Sequence, residues 1–150
     1  MKIEIRPLAD HPEHHDMIAG WHWSPWGILR NRGLYGSLAA HCKRDTIPAI
    51  YLAFADGKPA GTSGLLRTDL LSRQDLTPWM AVLHVLPAYR GRGIAAQLQE
   101  HALAEAKRMG YGKICLYTKL TGFYKKSGWA FVENDVDDHG EIIRIYRKDL

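Results

Sequence analysis

The stretch Val85-Leu86-Pro87-Ala88-Tyr89-Arg90-Gly91-Arg92-Gly93-Ile94-Ala95 is the most informative segment of this 150-residue chain. An apolar run ends at the start of this segment. Two glycines then alternate with two arginines, and apolar residues at helical spacing follow. The pattern predicts a strand, a tight turn and the start of a helix. Because a helix N-terminus leaves backbone N–H groups unpaired and carries partial positive charge, such a turn is typical of a phosphate-binding site.

The glycines and arginines of this turn suit an anionic ligand in different ways. Gly91 and Gly93 let the backbone approach a phosphate without an intervening side chain. Arg90 and Arg92 can add charge-assisted hydrogen bonds at the rim. The alternative, on the residues alone, is a glycine-rich turn with solvated arginines.

Two familiar phosphate-binding motifs fit the turn poorly. A P-loop places Lys and then Ser or Thr after its last glycine, whereas Ile94 and Ala95 follow here. The dinucleotide fingerprint requires an acidic residue about 20 positions further on, at the end of the next strand. This chain has Leu116, Tyr117 and Thr118 at that strand end, so a nicotinamide cofactor is disfavoured.

The hydrophobic pattern on both sides of the turn predicts a mixed α/β sheet with helices packed on its faces. Predicted strands cover Ile3–Arg6, Ala49–Ala55, Ala60–Leu66, Trp79–Leu86, Lys113–Thr118, Trp129–Glu133 and Ile142–Arg147. Predicted helices run from about Pro12 to Pro25 and over Leu34–His41, Gly93–Met109 and Gly122–Ser127. Asp56-Gly57 between two apolar runs predicts a tight hairpin.

Composition and charge exclude several classes of protein. The chain is 46% hydrophobic and 24% charged, which is close to the globular average and unlike disordered or coiled-coil chains. Its apolar runs, such as Ile50–Ala55, fall far short of the roughly 20 residues of a membrane span. A net charge of +4 suits a small polyanionic ligand but not a nucleic-acid-binding surface. We therefore expect neither nucleic acid nor membrane as a partner.

The N-terminus and the cysteines point to the cytoplasm. Residues Met1–Arg6 alternate in polarity instead of forming the apolar core of a signal peptide. Cys42 and Cys115 are too few for a disulfide framework or a four-cysteine zinc site. His11, Glu13 and His14 lack the spacing of a zinc-binding helix, so we expect an exposed charged turn there and no metal.

Two linked motifs resemble the GNAT superfamily of N-acetyltransferases. Arg90-Gly91-Arg92-Gly93-Ile94-Ala95 resembles the family's Arg/Gln-x-x-Gly-x-Gly/Ala segment, and Val85-Leu86-Pro87 resembles its typical strand end. Gly122-Phe123-Tyr124-Lys125-Lys126-Ser127-Gly128-Trp129 resembles its later Phe-Tyr segment. The resemblance covers residues 49–133 well, and the order of elements extends it to one N-acetyltransferase domain over residues 1–150. The fold that it implies is a mixed, mostly antiparallel sheet with splayed central strands and helices on both faces.

The resemblance implies acetyl-CoA as the co-substrate. The backbone of Arg90–Ala95 would cradle the pyrophosphate, and Leu83, His84 and Val85 would pair with the pantetheine chain as an added strand would. A bulge in the strand at Trp79–Leu86 would separate it from Lys113–Thr118 and let the thioester enter between them.

The implied chemistry is direct attack of an amine on the thioester, which needs a proton acceptor and a proton donor. Tyr124, in the family's Phe-Tyr position, would contact the cofactor and protonate the departing thiolate; the alternative is packing beside Phe123. The resemblance does not identify the proton acceptor, because Trp79 stands where family members often carry Glu. His84 is a candidate in the right strand with a suitable intrinsic pKa, and a water relay is the default.

Selection of the amine is expected in the segment before the first hairpin. Trp23 and Trp26 are the candidate substrate-binding residues, since Pro25 is expected to stop a helix and leave large aromatics on a loop. The alternative is that these tryptophans build the core. The loop Thr68–Thr77, with Asp69 among its residues, is the second candidate.

These patterns favour an acetyltransferase that moves an acetyl group from acetyl-CoA to a primary amine in a ternary complex. The acceptor would be a small-molecule or peptide amine, and a homodimer is compatible with the resemblance. Two alternatives stay open: a non-catalytic domain that binds or senses acyl-CoA, and a protein-binding module with a vestigial phosphate site.

Overall fold

One seven-stranded sheet with helices on both faces organises the chain, and this computed structural model describes residues 1–27 and 31–150. The strands are β1 (Ile3–Pro7), β2 (Ala49–Ala55), β3 (Lys58–Leu66), β4 (Trp79–Val85), β5 (Lys113–Thr118), β6 (Ala130–Val136) and β7 (Ile142–Asp149). The helices are α1 (His15–Trp26), α2 (Arg32–His41) and α3 (Ile94–Arg108). Within the described residues, no helix combines the length and the apolar character needed to span a bilayer.

The sheet consists of two antiparallel parts that barely touch. The strand order is β1-β2-β3-β4-β5-β7-β6, and every neighbouring pair is antiparallel except β4 and β5. Those two are parallel and share one paired position, Trp79 with Cys115, where the Cys115 N–H donates to the Pro78 carbonyl at 3.0 Å. Beyond that point they diverge, so the predicted mixed sheet with splayed central strands is confirmed.

A β-bulge in β4 decides which side chains face which helix. Thr62 pairs with His84 and Gly64 pairs with Ala81, so two residues of β4 lie opposite Ser63. One of them, Val82, has a φ of 50°, a strained conformation for a β-branched residue. Because side chains alternate along a strand, the extra residue reverses the alternation and moves His84 to the opposite face.

The helices cover the two faces of the sheet with separate apolar layers. α3 packs against one face, and that layer includes Ala102, Ala106, Tyr51, Leu65 and Met80. α1 and α2 cover the other face, where the buried residues include Ile18, Ala39, Ile50, Leu52 and Ala81. β2 supplies both layers through strict alternation, which agrees with its predicted boundaries.

Two predicted helices differ from the structure. Pro25 does not stop α1 but lies inside its last turn, so Trp23 is helical and Trp26 is the last helical residue. A proline near a helix end removes one backbone donor, and the Gly27 N–H closes the turn on the Trp23 carbonyl at 2.6 Å. The helix predicted over Gly122–Ser127 is a single 3-10 turn at Lys125–Ser127. The expected loop of aromatics is therefore wrong.

Tight packing at the bulge predicts that adding a side chain at Gly64 lowers stability. A Cβ added at Gly64 would lie 2.8 Å from Ile50 Cδ1 and 3.0 Å from Val82 Cγ2. We expect Gly64→Ala to lower the free energy of unfolding by about 1–3 kcal/mol, measured by urea denaturation, because the site is overpacked. Gly20→Ala is the control: its Cβ meets nothing within 4 Å in α1, and it should stabilise by about 0.5–1 kcal/mol. Equal effects of the two changes would contradict tight packing at the bulge.

Candidate functional site

The glycine-rich turn has the backbone that the sequence predicts. Gly91 and Gly93 have φ values of 74° and 79°, in the left-handed region that favours glycine, and Gly93 directly precedes α3. A Cβ at either glycine would meet nothing within 4 Å, so open space lies above the turn. The backbone is thus accessible to a ligand at the N-terminus of α3, which suits an anion.

The two arginines of the turn do different things. Arg90 Nε donates to the Val85 carbonyl at 2.9 Å and ties the turn back to the end of β4. Arg92 is exposed, and its guanidinium lies 3.5 Å from Met1 Sδ. Arg90 therefore positions the turn as well as adding charge to its rim.

A cavity of about 630 Å³ lies against the turn and the first half of α3. It joins the two motifs recognised in the sequence, and its wall includes Val85, Arg90, Gly91, Gly93, Ile94, Ala95, Phe123, Ser127 and Trp129. Lys148 on β7 adds a cation to the wall, and its Nζ donates to the Ser127 carbonyl at 2.7 Å. We call this space the cofactor-side cavity. No local motif in the sequence pointed to Lys148.

A second cavity, of about 510 Å³, occupies the opening between β4 and β5. Its wall combines both strands with α1, α2 and two loops, and includes Trp26, Tyr35, Asp69, Val82, Leu83, Tyr117, Tyr124 and Asp138. We call it the acceptor-side cavity. The bulge residue Val82 contributes directly to its wall.

Leu83, His84 and Val85 lie where the predicted pairing with a pantetheine chain requires them. Their backbone pairs with β3 on one side through Thr62 and Gly61. On the other side β5 has already diverged, since it pairs with β4 only at Trp79. That edge is open to an extended ligand, in the manner of an added strand.

Tyr124 and its neighbour in sequence, Phe123, contribute to different cavities. Tyr124 forms part of the wall of the acceptor-side cavity, while Phe123 contributes to the cofactor-side cavity. The Tyr124 ring stands edge-on to Phe123 and Trp129, with centroids 4.9 and 6.1 Å away. Burial raises the pKa of the phenol above its ordinary value, so the hydroxyl keeps its proton at neutral pH.

His84 faces α1 and stands edge-on to Trp26, with ring centroids 6.0 Å apart. It is not among the residues that form the acceptor-side cavity. Burial and the charge of Arg90 lower its pKa, so the imidazole is neutral at neutral pH. A catalytic role for His84 stays a prediction.

The two tryptophans of the predicted substrate site lie in different surroundings. Trp26 forms part of the acceptor-side cavity. Trp23 does not, and the Arg32 guanidinium lies 5.3 Å from its ring centroid. Contact of Trp26 with a ligand is therefore compatible with the structure, whereas Trp23 would act only through its neighbours.

Sequence reasoning missed the polar wall of the acceptor-side cavity. Tyr35, Tyr117 and Asp138 come from three separate elements, and only Asp69 lay in a segment that the sequence singled out. Burial and the charge of Asp138 raise the pKa of Asp69 to about 7. Burial likewise raises the pKa of Tyr35 to about 12 and moves that of Tyr117 upward.

His11, Glu13 and His14 form a compact polar cluster near the start of α1. Their potential ligand atoms lie within 4.8 Å of one another. Glu13 Oε1 lies 3.1 Å from His11 Nδ1, so a hydrogen bond within the cluster accounts for the proximity of those two residues. The expectation that the protein uses no metal stays a prediction.

Comparisons with known proteins identify a family and a fold. The sequence model of the acetyltransferase (GNAT) family matches residues 15–129. No curated protein matches the chain. Among solved structures, an acetyltransferase from Streptococcus agalactiae 2603 is 21% identical with a TM-score of 0.67, over 99% of this chain and 98% of that one. A GNAT-family acetyltransferase from Streptococcus pneumoniae is 18% identical with a TM-score of 0.68, over 99% and 100%.

A third similar structure contains a ligand. It is Arabidopsis thaliana Naa50 in complex with the bisubstrate analogue CoA-Ac-MVNAL, 16% identical with a TM-score of 0.68 over 100% of both chains. At these identities the three structures show a shared fold.

The glycine-rich turn gives a direct test of the cofactor-side cavity. We expect Gly93→Val to weaken CoA binding roughly tenfold or more, equivalent to about 1.4 kcal/mol, because a β-branched residue is strained at this φ and obstructs the backbone. Isothermal titration calorimetry measures the affinity.

The matched control is Gly57→Val, in the β2–β3 hairpin. Gly57 has a φ of 80°, so this change carries the same backbone strain away from the cavity. It should lower stability and leave CoA affinity unaltered. An unaltered affinity in Gly93→Val would refute the assignment of the turn.

Proposed function

The chain belongs to the acetyltransferase (GNAT) family, and on that premise we propose that it transfers an acetyl group from acetyl-CoA to a primary amine by direct attack in a ternary complex. The observation that carries this proposal is a pair of cavities lined by adjacent residues of the Phe-Tyr motif, with Phe123 in the cofactor-side cavity and Tyr124 in the opening between β4 and β5. A ternary complex needs one space for each substrate.

The cofactor-side cavity suits CoA. Backbone N–H groups at the start of α3 would hold the pyrophosphate, and Arg90 and Lys148 would add positive charge. The open edge of β4 at residues 83–85 would hydrogen-bond the pantetheine chain and direct the thioester toward the bulge. The CoA analogue in the structurally similar plant protein supports this choice of ligand.

The transfer itself requires three proton movements. The acceptor arrives as an ammonium ion and loses a proton before its nitrogen attacks the thioester carbonyl. As the new C–N bond forms and the C–S bond breaks, Tyr124 donates its phenolic proton to the departing sulfur, and the acetylated nitrogen then loses its second proton, which restores the phenol. The raised pKa of Tyr124 supports this role, since the group is protonated when the reaction begins.

The alternative is a domain that binds acyl-CoA without turnover, and one observation favours it. Trp79 occupies the start of β4, is fully buried, and donates its indole N–H to the Leu76 carbonyl at 2.7 Å. No proton acceptor is available at that position, where family members often carry Glu. Mass spectrometry of a panel of small-molecule and peptide amines incubated with acetyl-CoA separates the two functions, and we expect an acetylated product.

Tyr124→Phe tests the proton donor. The change removes one hydroxyl and preserves the ring packing, so we expect kcat to fall roughly 100-fold while CoA affinity is retained. A donor must be protonated, so on the alkaline side the wild-type rate should fall above the phenol pKa, which burial raises beyond its ordinary value of about 10, and the variant should lose this limb. Tyr111→Phe, a partly buried tyrosine outside both cavities, is the control and should behave as wild type.

Trp26→Ala tests aromatic recognition of the acceptor. We expect the amine KM to rise about fivefold, since loss of one aromatic face next to a cation costs about 1 kcal/mol. Trp23→Ala, in the same helix but outside the cavity, should alter the amine KM less. Steady-state kinetics measure both, and thermal melting checks that the variants fold. A folded Trp26→Ala enzyme with an unchanged amine KM would exclude Trp26 from the binding site.

A further inference from the structure

The proposed reaction lacks an assigned proton acceptor, and the wall of the acceptor-side cavity offers one. Trp79 is excluded by its burial and its hydrogen bond, and His84 lies outside the cavity wall. Among the carboxylates of the wall, Asp137 is occupied: its Oδ1 accepts hydrogen bonds from the backbone N–H groups of His139 and Glu141, both at 2.9 Å. Asp138 has an interaction partner of its own, which leaves Asp69 among the carboxylates of the wall.

Asp69 is held in place by its neighbour in sequence. It follows β3 by three residues, and Leu70 next to it is 1% exposed. Leu70 packs in a buried cluster with Trp79, Cys115 and Ile143, which joins β4, β5 and β7. The loop is thus anchored to the sheet at the point where β4 and β5 begin to diverge. In the part of the chain that the structure describes, the Asp69 carboxylate makes no hydrogen bond or ion pair.

Asp69 shares the cavity with the parts that the reaction needs. Tyr124, the proposed proton donor, and Leu83, on the open edge of β4, belong to the same wall. The wall also includes three aromatic residues from α1, α2 and β5, namely Trp26, Tyr35 and Tyr117. A carboxylate among aromatic faces is a favourable environment for an organic ammonium ion.

We propose that Asp69 binds the ammonium group of the acceptor and removes its proton, so that the acceptor is an aliphatic amine that is cationic at neutral pH. This inference rests on the proposed acetyl transfer. One proton passes from the ammonium nitrogen to an Asp69 carboxylate oxygen. The freed electron pair forms the C–N bond, the C–S bond breaks, and Tyr124 protonates the sulfur. The acetylated nitrogen then loses its second proton, which restores the phenol of Tyr124. Asp69 then returns its proton to solvent.

The electrostatic surroundings of Asp69 agree with this role. Asp138 faces it from the β6–β7 turn, and together with burial it raises the pKa of Asp69 to about 7. Tyr35 from α2 and Tyr117 from β5 stay neutral at that pH. Lys119 on the same wall is paired with Glu141 and does not neutralise Asp69. A base with a pKa near the working pH is well matched to deprotonating a bound ammonium.

The test compares two amines in wild type and in three variants, Asp69→Asn, Asp69→Glu and Asp75→Asn. Asp69→Asn preserves the shape of the side chain and removes the charge, whereas Asp75→Asn alters an exposed aspartate of the same loop that pairs with Arg73. The probes are n-butylamine, which is cationic at neutral pH, and aniline, which is neutral and needs no deprotonation before attack. Wild-type kcat/KM for n-butylamine should fall as pH falls through about 7, because the carboxylate becomes protonated.

We expect Asp69→Asn to lower kcat/KM for n-butylamine roughly 100-fold and to abolish this acidic limb. Any aniline acetylation should change less than about threefold, CoA affinity should be retained, and Asp69→Glu should restore part of the activity. Asp75→Asn should match wild type. Retention of the limb in Asp69→Asn, or an equal loss for both amines, would overturn the proposal.

One further measurement separates this proposal from the proposed function. Calorimetric titration of the CoA-bound protein with n-butylamine reports ammonium binding without turnover, and binding should weaken at least tenfold in Asp69→Asn, or about 1.4 kcal/mol. If wild type binds the amine through Asp69 but transfers no acetyl group, the proposed function fails and ammonium binding survives. If wild type acetylates amines and Asp69→Asn binds and reacts equally well, the proposal about Asp69 fails alone.

Thermal melting checks the fold of the variant. The pKa of Asp69 is raised in the folded protein, so ionisation of this group opposes folding, and the stability that it contributes declines as pH rises from about 4 to about 7. Asp69→Asn removes this dependence. It should therefore melt at or above the wild-type temperature at pH 8, and a lower melting temperature there would contradict the unpaired, partly buried state of Asp69.

Discussion

The bulge in β4 sets which side chains of this strand face α1 and which face α3. One additional residue opposite Ser63 places Val82 at a positive φ and reverses the alternation of side chains for the remainder of the strand. The same distortion coincides with the divergence of β4 and β5, which share only the pair Trp79 and Cys115. Strained backbone at this position persists because Val82 packs closely against Gly64 and within the apolar layer that α1 covers.

Divergence of the two strands opens the acceptor-side cavity, while the cofactor-side cavity lies between the end of β4, α3 and the Phe-Tyr motif. On the α3 side, the helix N-terminus and its glycine-rich turn present backbone donors to a space suited to a polyanion. On the α1 side, the space is lined by aromatic rings and carboxylates, which suit a cation. Opposite electrostatic character of the two cavities fits a reaction between an anionic acyl donor and a cationic acceptor, with Tyr124 on the acceptor side.

Hydrogen bonds and apolar contacts to the sheet hold in place the groups to which we assign chemistry. Arg90 ties the glycine-rich turn to Val85, and Lys148 ties β7 to Ser127 beside the Phe-Tyr motif. Leu70 anchors the loop of Asp69 in a buried cluster. Each support is a short contact to the sheet, so the reactive groups derive their positions from the most stable part of the molecule.

Local sequence by itself determined the strands, the hairpin at Asp56-Gly57, the glycine-rich turn and α3, because these depend on residues a few positions apart. The same local signals identified both GNAT motifs. Only the tertiary structure decided the position of the bulge, the face on which His84 lies, and the meeting of Asp69 with Tyr35 and Tyr117. Strand register, and the meeting of side chains from different elements, depend on contacts between residues distant in the chain. Periodicity within one segment contains no information about its partner.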